Sequence, residues 1–213
     1  EHQKALDAAA AEGSTISMVL TTHKHWDHAG GNIVLAEAIP GLTVVGGELD
    51  MVDACTMPVK DGEVFKLGET TITCLLTPGH TKGHITYFCA AGDARHVFTG
   101  DVMFIGGCGK FFEGSAEEMH PSLYQKIGTL PDDTLVWPGH EYTVSNLAFA
   151  AKVEPDNQDI AEKAAWAKAQ RDVQAFTVPS TIGAERRHNV FLRCECASVR
   201  TACEVGSGAS TVE

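Results

Sequence analysis

Thr22-His23-Lys24-His25-Trp26-Asp27-His28 sets three histidines and an aspartate within six residues. The run closes an apolar, β-prone stretch, residues 17–22, so a strand end would deliver the whole cluster to one rim. Three imidazoles and a carboxylate gathered this closely rarely serve packing; as nitrogen and oxygen donors they suit zinc, manganese or iron. His23 and His25 stand two apart, a spacing for extended or looping backbone, whereas a pair on one helical face would stand four apart. A helix-borne peptidase site is excluded.

Three further motifs each put a ligand-type residue beside a glycine just past an apolar run: Pro78-Gly79-His80, Thr99-Gly100-Asp101 and Pro138-Gly139-His140. Five histidines and two aspartates exceed the needs of one ion, and the inventory reads as a two-metal hydrolytic site. If Asp101 bridges, His23, His25 and His80 complete the protein shell of one metal, and Asp27, His28 and His140 that of the other. Each ion then keeps a position for water or substrate, as catalytic centres do. Of the remaining histidines, His84 reads as a supporting residue, His120 as part of a helix and His96 as near a turn. His2 and His188 have no ligand partner in sequence, and all five are left off the metals.

Around the motifs, β-prone and helical runs alternate, the pattern of a layered α/β (α+β) domain. Helices are predicted over residues 2–12, ended by Gly13, and 32–39, ended by Pro40-Gly41. Strands are predicted over 17–22, 42–45, 70–76, 85–89, 96–99 and 134–137, and three of the later ones end in a ligand motif. Ser115-Ala116-Glu117-Glu118 has the form of a capping box and should start a helix running towards Ile127, with Gly128 near its end. Beyond His140, residues 143–153 and 156–173 are helical by period and alanine content, parted by Pro155, with no strand-rich stretch after them. The division expected is a metal-binding domain, 1–140, and a small all-α domain, 141–213, whose polar end, 207–213, should be mobile.

The Thr22 to His28 stretch matches Thr-His-x-His-x-Asp-His, and on it the chain resembles the metallo-β-lactamase fold superfamily. The stretches Thr77-Pro78-Gly79-His80-Thr81-Lys82-Gly83-His84, Phe98-Thr99-Gly100-Asp101, Gly106-Gly107-Cys108-Gly109-Lys110-Phe111-Phe112-Glu113-Gly114 and Pro138-Gly139-His140-Glu141-Tyr142-Thr143 narrow the resemblance to glyoxalase II, the hydroxyacylglutathione hydrolases. The likeness runs from near residue 1 to about Arg193, and its most discriminating piece is Gly107 to Gly114, similar to that family's glutathione-binding segment. It implies an αββα sandwich followed by helices that close over glutathione, with an amino-terminal pair of strands of the family's fold preceding the sequence given. It also implies Lys110, Phe112, Tyr142 and Arg193 as substrate contacts. Human-like members carry further basic residues just beyond that arginine, where this chain has Cys194-Glu195-Cys196-Ala197, so a glutathione conjugate with a blocked glycine carboxylate also fits.

The activity implied is hydrolysis of S-D-lactoylglutathione to glutathione and D-lactate by a hydroxide held between two divalent ions, zinc first, iron or manganese next. Asp27 and Asp101 would be the catalytic carboxylates, and no Gly-x-Ser-x-Gly motif offers a serine nucleophile. A persulfide dioxygenase with one iron shares the ligand set but not the 110–114 match; a β-lactamase or lactonase leaves that loop unexplained, and an idle metal- or thiol-binding module leaves the full ligand set unexplained. A formal charge of −12 with 16 Lys and Arg argues against nucleic acid, including an RNA-processing role. No run is long and apolar enough for a membrane span. Seven cysteines without regular spacing fit reduced thiols, and an intracellular monomer, cytoplasmic or mitochondrial, is the expectation. Cys194 and Cys196 alone are not read as a metal pair.

Overall fold

The computed structural model describes residues 2–203; the end expected to be mobile, 207–213, lies outside them. In chain order the elements are α1 (His2–Ala11), β1 (Met18–Leu20), α2 (Trp26–Ala29), α3 (Asn32–Ala38), β2 (Thr43–Gly47), β3 (Met57–Val59), β4 (Val64–Leu67), β5 (Thr70–Leu76), β6 (Ile85–Ala91) and β7 (Ala94–Gly100). There follow β8 (Met103–Phe104), β9 (Gly107–Cys108), α4 (Ala116–Pro121), β10 (Leu135–Pro138), α5 (Thr143–Val153), α6 (Gln158–Asp172), β11 (Ser180–Thr181), α7 (Ile182–His188) and α8 (Ala197–Ala202).

Among the described residues β1, β2 and β3 form one parallel sheet, and β11-β10-β7-β6-β5-β4 a larger mixed one. Alternation along the strands builds the layers. Val45 and Val59 of the small sheet meet Ile72, Cys74, Ile85, Tyr87 and Cys89 of the large one, and that is the sandwich core. The opposite faces are covered by helices. Val44 and Val19 pack with Leu35 of α3 and Leu6 of α1, while Val97 and Val136 pack with Met119 of α4, Leu123, Ile127 and Ile182 of α7. The order is helix, sheet, sheet, helix, the αββα sandwich expected.

Strand direction decides where the ligand motifs go. β5 and β7 both run antiparallel to β6, and β10 runs parallel to β7, so β5, β7 and β10 finish at one rim of the large sheet. The motifs at His80, Asp101 and His140 follow those three ends. β1 brings the fourth from the other sheet: Thr21 N donates to Val45 O, and Ile85 N to Thr22 O at 2.8 Å, which sets the start of the histidine cluster over the beginning of β6.

Three departures from the sequence-based elements have local causes. The Ser115/Glu118 capping box forms and starts α4, but a proline at 121 interrupts the run, and Ser122–Lys126 continues as a π-helical turn before a 3-10 turn at Ile127–Thr129. Asp27 and His28 sit on the short helix α2, an element absent from the sequence-based set. The carboxy-terminal part, read as all helix, adds β11, which pairs antiparallel with β10 and ties residues 180–181 to the sheet.

Candidate metal centre

The rim gathers all seven donors. His25 Nδ1 lies 3.0 Å from both His23 Nε2 and His80 Nε2. His28 Nε2 and His140 Nε2 are 3.2 Å apart, and Asp27 Oδ2 is 3.2 Å from the latter and 3.5 Å from the former. Asp101 joins the two groups: Oδ1 lies 3.3 Å from His28 Nε2, and Oδ2 lies 3.6 Å from His80 Nε2 and 3.4 Å from His140 Nε2. Three overlapping sets, His23/His25/His80, His23/His28/Asp101 and Asp27/His28/His140, each have their ligand atoms within 4.8 Å of one another.

These donors fit divalent cations. Burial first, and then the facing imidazoles of His84, His28, His80 and His25, push the pKa of His23 far below the ordinary histidine value. Burial also lowers His80, against a partial opposing effect of the Lys110 carbonyl. Neutral imidazoles present lone pairs, which is the form a metal binds. Asp101 Oδ1 is buried and receives no hydrogen bond, an acceptor whose burial is costly unless a cation or donor meets it. The cluster is a divalent-metal site.

Glycines let the backbone come this close. A Cβ on Gly139 would lie 2.3 Å from Asp101 Oδ1 and 2.7 Å from His28 Cε1, and one on Gly109 would lie 1.7 Å from Asp101 O. No side chain fits at either position without displacing a ligand residue.

The rim carries most of the expected substrate contacts. Phe112, 59% exposed, sets its ring centroid 5.7 Å from that of His25 and 5.2 Å from that of His80. Lys110 holds its ammonium 5.2 Å from the Phe112 centroid, and its carbonyl lies 2.9 Å from His80 Nδ1. Tyr142 stacks on His140 at 5.1 Å and meets Phe104 edge-on. Arg193 is engaged elsewhere: its guanidinium forks onto Glu154 at 2.7 and 3.0 Å and donates to Arg186 O.

Histidines left off the metals occupy other places. His84 is fully buried; its Nδ1 lies 3.0 Å from Thr77 Oγ1, and its Nε2 accepts from the Asp101 amide, steadying that ligand from behind. His96 accepts from Trp137 Nε1, His120 stacks on Tyr124, and His188 pairs with Glu185.

Two carboxylates that sequence reasoning passed over hold the ligand loops together. Fully buried Asp50 accepts from Lys24 N at 2.7 Å and Gly83 N at 3.2 Å, joining the loop of His23 and His25 to that of His80 and His84. Glu113 does the same from the solvent side, pairing with Lys24 Nζ at 2.7 Å and accepting from Lys82 N. Their partners lie 26 to 89 residues away in the chain or are backbone amides, so no local pattern marks them.

Comparison with known proteins bears on this geometry. The metallo-β-lactamase superfamily model matches residues 1–54 and 57–140, and the model described as the hydroxyacylglutathione hydrolase C-terminus matches 141–213. A relative from Arabidopsis thaliana named hydroxyacylglutathione hydrolase cytoplasmic is 47% identical over 196 residues, covering 91% of this chain and 76% of the relative. The chain belongs to the hydroxyacylglutathione hydrolase family. Within that family, a mouse protein named hydroxyacylglutathione hydrolase-like is 44% identical over 201 residues, covering 93% of this chain and 71% of its own length. Among solved structures, ETHE1 from Myxococcus xanthus superposes with a TM-score of 0.65 at 30% identity, covering 88% of this chain and 67% of that one. The likeness to it and the family matches agree on the metallo-β-lactamase fold.

Proposed function

We propose that this member of the hydroxyacylglutathione hydrolase family hydrolyses S-D-lactoylglutathione, and related S-2-hydroxyacylglutathiones, to glutathione and the free hydroxy acid. The single observation that carries the reading is the convergence of seven donors beside the Lys110 to Phe112 rim, in a chain whose relatives bear the hydrolase name. We assign His23, His25, His80 and Asp101 to one ion and Asp27, His28, His140 and Asp101 to a second, with zinc as the expected metal and iron or manganese as substitutes. Every donor comes from one chain, which suits a monomer. The carboxy-terminal part, residues 141–213, serves as the substrate-binding part, and the cytoplasm, the compartment in the Arabidopsis relative's name, is the setting.

Divalent ions held by His23, His25, His28, His80, His140, Asp27 and Asp101 would lower the pKa of a bound water from about 15.7 towards about 7 and would supply positive charge for the developing oxyanion. The side chains do the rest. Asp27 has half of its side chain exposed and sets Oδ2 beside His28 and His140, a placement from which the carboxylate would orient a water bound among these donors. Asp101, nearly buried, is held by the hydrogen bond that its backbone N–H donates to His84 Nε2 and keeps the two donor groups at a fixed separation. A departing thiolate is a good leaving group, so no dedicated acid is needed. Lys110 offers charge to the anionic carrier, and Phe112 and Tyr142 offer flat walls on either side of the donors. Arg193 reaches the carrier only by releasing Glu154.

Product analysis tests this. Free thiol and hydroxy acid released in equal amounts, without oxygen uptake, support the hydrolase; dioxygen consumption with glutathione persulfide and no thioester turnover favours the one-iron dioxygenase.

A further inference from the structure

The short hairpin between Asp101 and Lys110 is gripped from behind by the carboxy-terminal part of the chain. Glu185 of α7 is fully buried, and its carboxylate accepts from Gly106 N at 2.9 Å, Ser180 Oγ at 2.5 Å, His188 Nε2 at 2.9 Å and Asn189 Nδ2 at 3.1 Å. The Asn189 amide, also fully buried, donates to Phe104 O at 3.2 Å and Gly107 O at 3.0 Å. Glu185 thus holds the amide at the tip of the β8–β9 hairpin, and Asn189 holds a carbonyl on each side of it. From Cys108 the chain runs directly into Gly109 and Lys110, whose carbonyl faces His80. Burial opposes ionisation of Glu185, but the hydrogen bonds from His188, Ser180 and Gly106 outweigh it and hold the carboxyl below its ordinary range. A buried carboxylate is costly to keep unless every acceptor is used, and this one uses part of its capacity on a backbone turn 79 residues away.

We propose that Glu185, together with Asn189, is a positioning residue for the thiol-carrier subsite: it fixes the 103–108 hairpin and thereby the placement of Lys110 and Phe112 beside His80. The proposal rests on the reading of Lys110 and Phe112 as carrier contacts.

The test uses the whole chain, metal-replete, as Glu185→Gln, Asn189→Ser, Lys110→Ala and the control Ser180→Ala. Glu185→Gln keeps the volume but turns an acceptor into a donor facing donors. Ser180→Ala removes one bond from the same carboxylate and leaves the hairpin bonds in place. One readout is the split between KM and kcat with S-D-lactoylglutathione. The other is the alkylation rate of Cys108 by iodoacetamide, followed by peptide mass spectrometry. Cys108 lies in β9, with its thiol pushed up to about 12 by burial, and Cys74 in the sandwich core, raised by burial to about the same value, is the internal reference.

Glu185→Gln and Asn189→Ser are expected to raise KM about five- to tenfold with kcat within about twofold, and Ser180→Ala to leave both within about twofold. Cys108 alkylation should quicken at least about tenfold in the first two variants while Cys74 stays protected, because only a local opening is involved. In the Lys110→Ala background, adding Glu185→Gln should change KM by less than about twofold, as coupled residues do. If Glu185→Gln does not fold, Asn189→Ser carries the same criteria alone. An unchanged KM in the folded variants, or Cys74 opening together with Cys108, overturns the proposal and leaves Glu185 a general stabiliser. An unchanged KM in Lys110→Ala overturns instead the reading of Lys110 as a carrier contact, and the two failures are separable because Cys108 reports the hairpin without substrate.

Discussion

His28 Nε2 and His140 Nε2 stand 3.2 Å apart although 112 residues separate them in the chain. Asp27 Oδ2 meets the same His140 nitrogen at 3.2 Å, so two ring nitrogens and a carboxylate oxygen converge on one small volume. A divalent cation satisfies all three at once. On the proposed two-ion assignment, His140→Ala should release one ion, taking the content from about two per chain to about one. Metal analysis of the dialysed proteins reads this directly; equal metal content in the two would remove His140 from the ligand set.

Asp27 is the most exposed of the acidic donors, with 49% of its side chain accessible against 9% for Asp101. That placement suits the proposed role towards water better than one in packing. Asp27→Asn should lower kcat at least about a hundredfold and move KM by less than about threefold. Steady-state kinetics on the metal-replete variant decide it, and an unaltered kcat would contradict the role.

Gly139 has no room for a methyl group, because its Cβ would fall against the Asp101 carboxylate and the His28 ring. Both neighbours are proposed ligands, so Gly139→Ala should weaken metal affinity about 10- to 100-fold and cost about 1–3 kcal/mol of stability. Competition with a coloured chelator measures the first and urea unfolding the second. Wild-type metal retention would show that the ligands can move aside.

The Arg193 fork holds the Glu154 carboxyl below its usual range, against the opposing effect of burial and with help from Ser198. A carboxylate with a depressed folded pKa adds stability above its unfolded value, about 4.3, and loses it as pH falls through the folded value. Glu154→Gln should thus cost about 2 kcal/mol near pH 7, and the gap from wild type should close below about pH 4. Urea midpoints across that range test the sign; a gap that widens in acid would contradict it.

The sandwich was legible in the sequence because its signals are local. Residues 70–76 and 143–153 have the period and composition of the elements they form, β5 and α5. The donors were legible because ligand types cluster beside glycines at strand ends. What escaped has no local signature. α2 is only one turn long, too short for a period; β3 contains a proline, and β4 is four residues long and largely exposed. Asp50, Glu113 and Glu185 act through backbone amides supplied by distant segments, so only the folded chain reveals their partners.

The most direct measurement is thiol release from S-D-lactoylglutathione by the zinc-reconstituted protein beside its Asp101→Asn variant, both verified as folded. Fast release by the parent, lost at least about a thousandfold in the variant, is the predicted result, since Asp101 serves both donor groups. Equal release by the two proteins, or none from a folded, metal-loaded parent, would contradict the two-metal thioesterase.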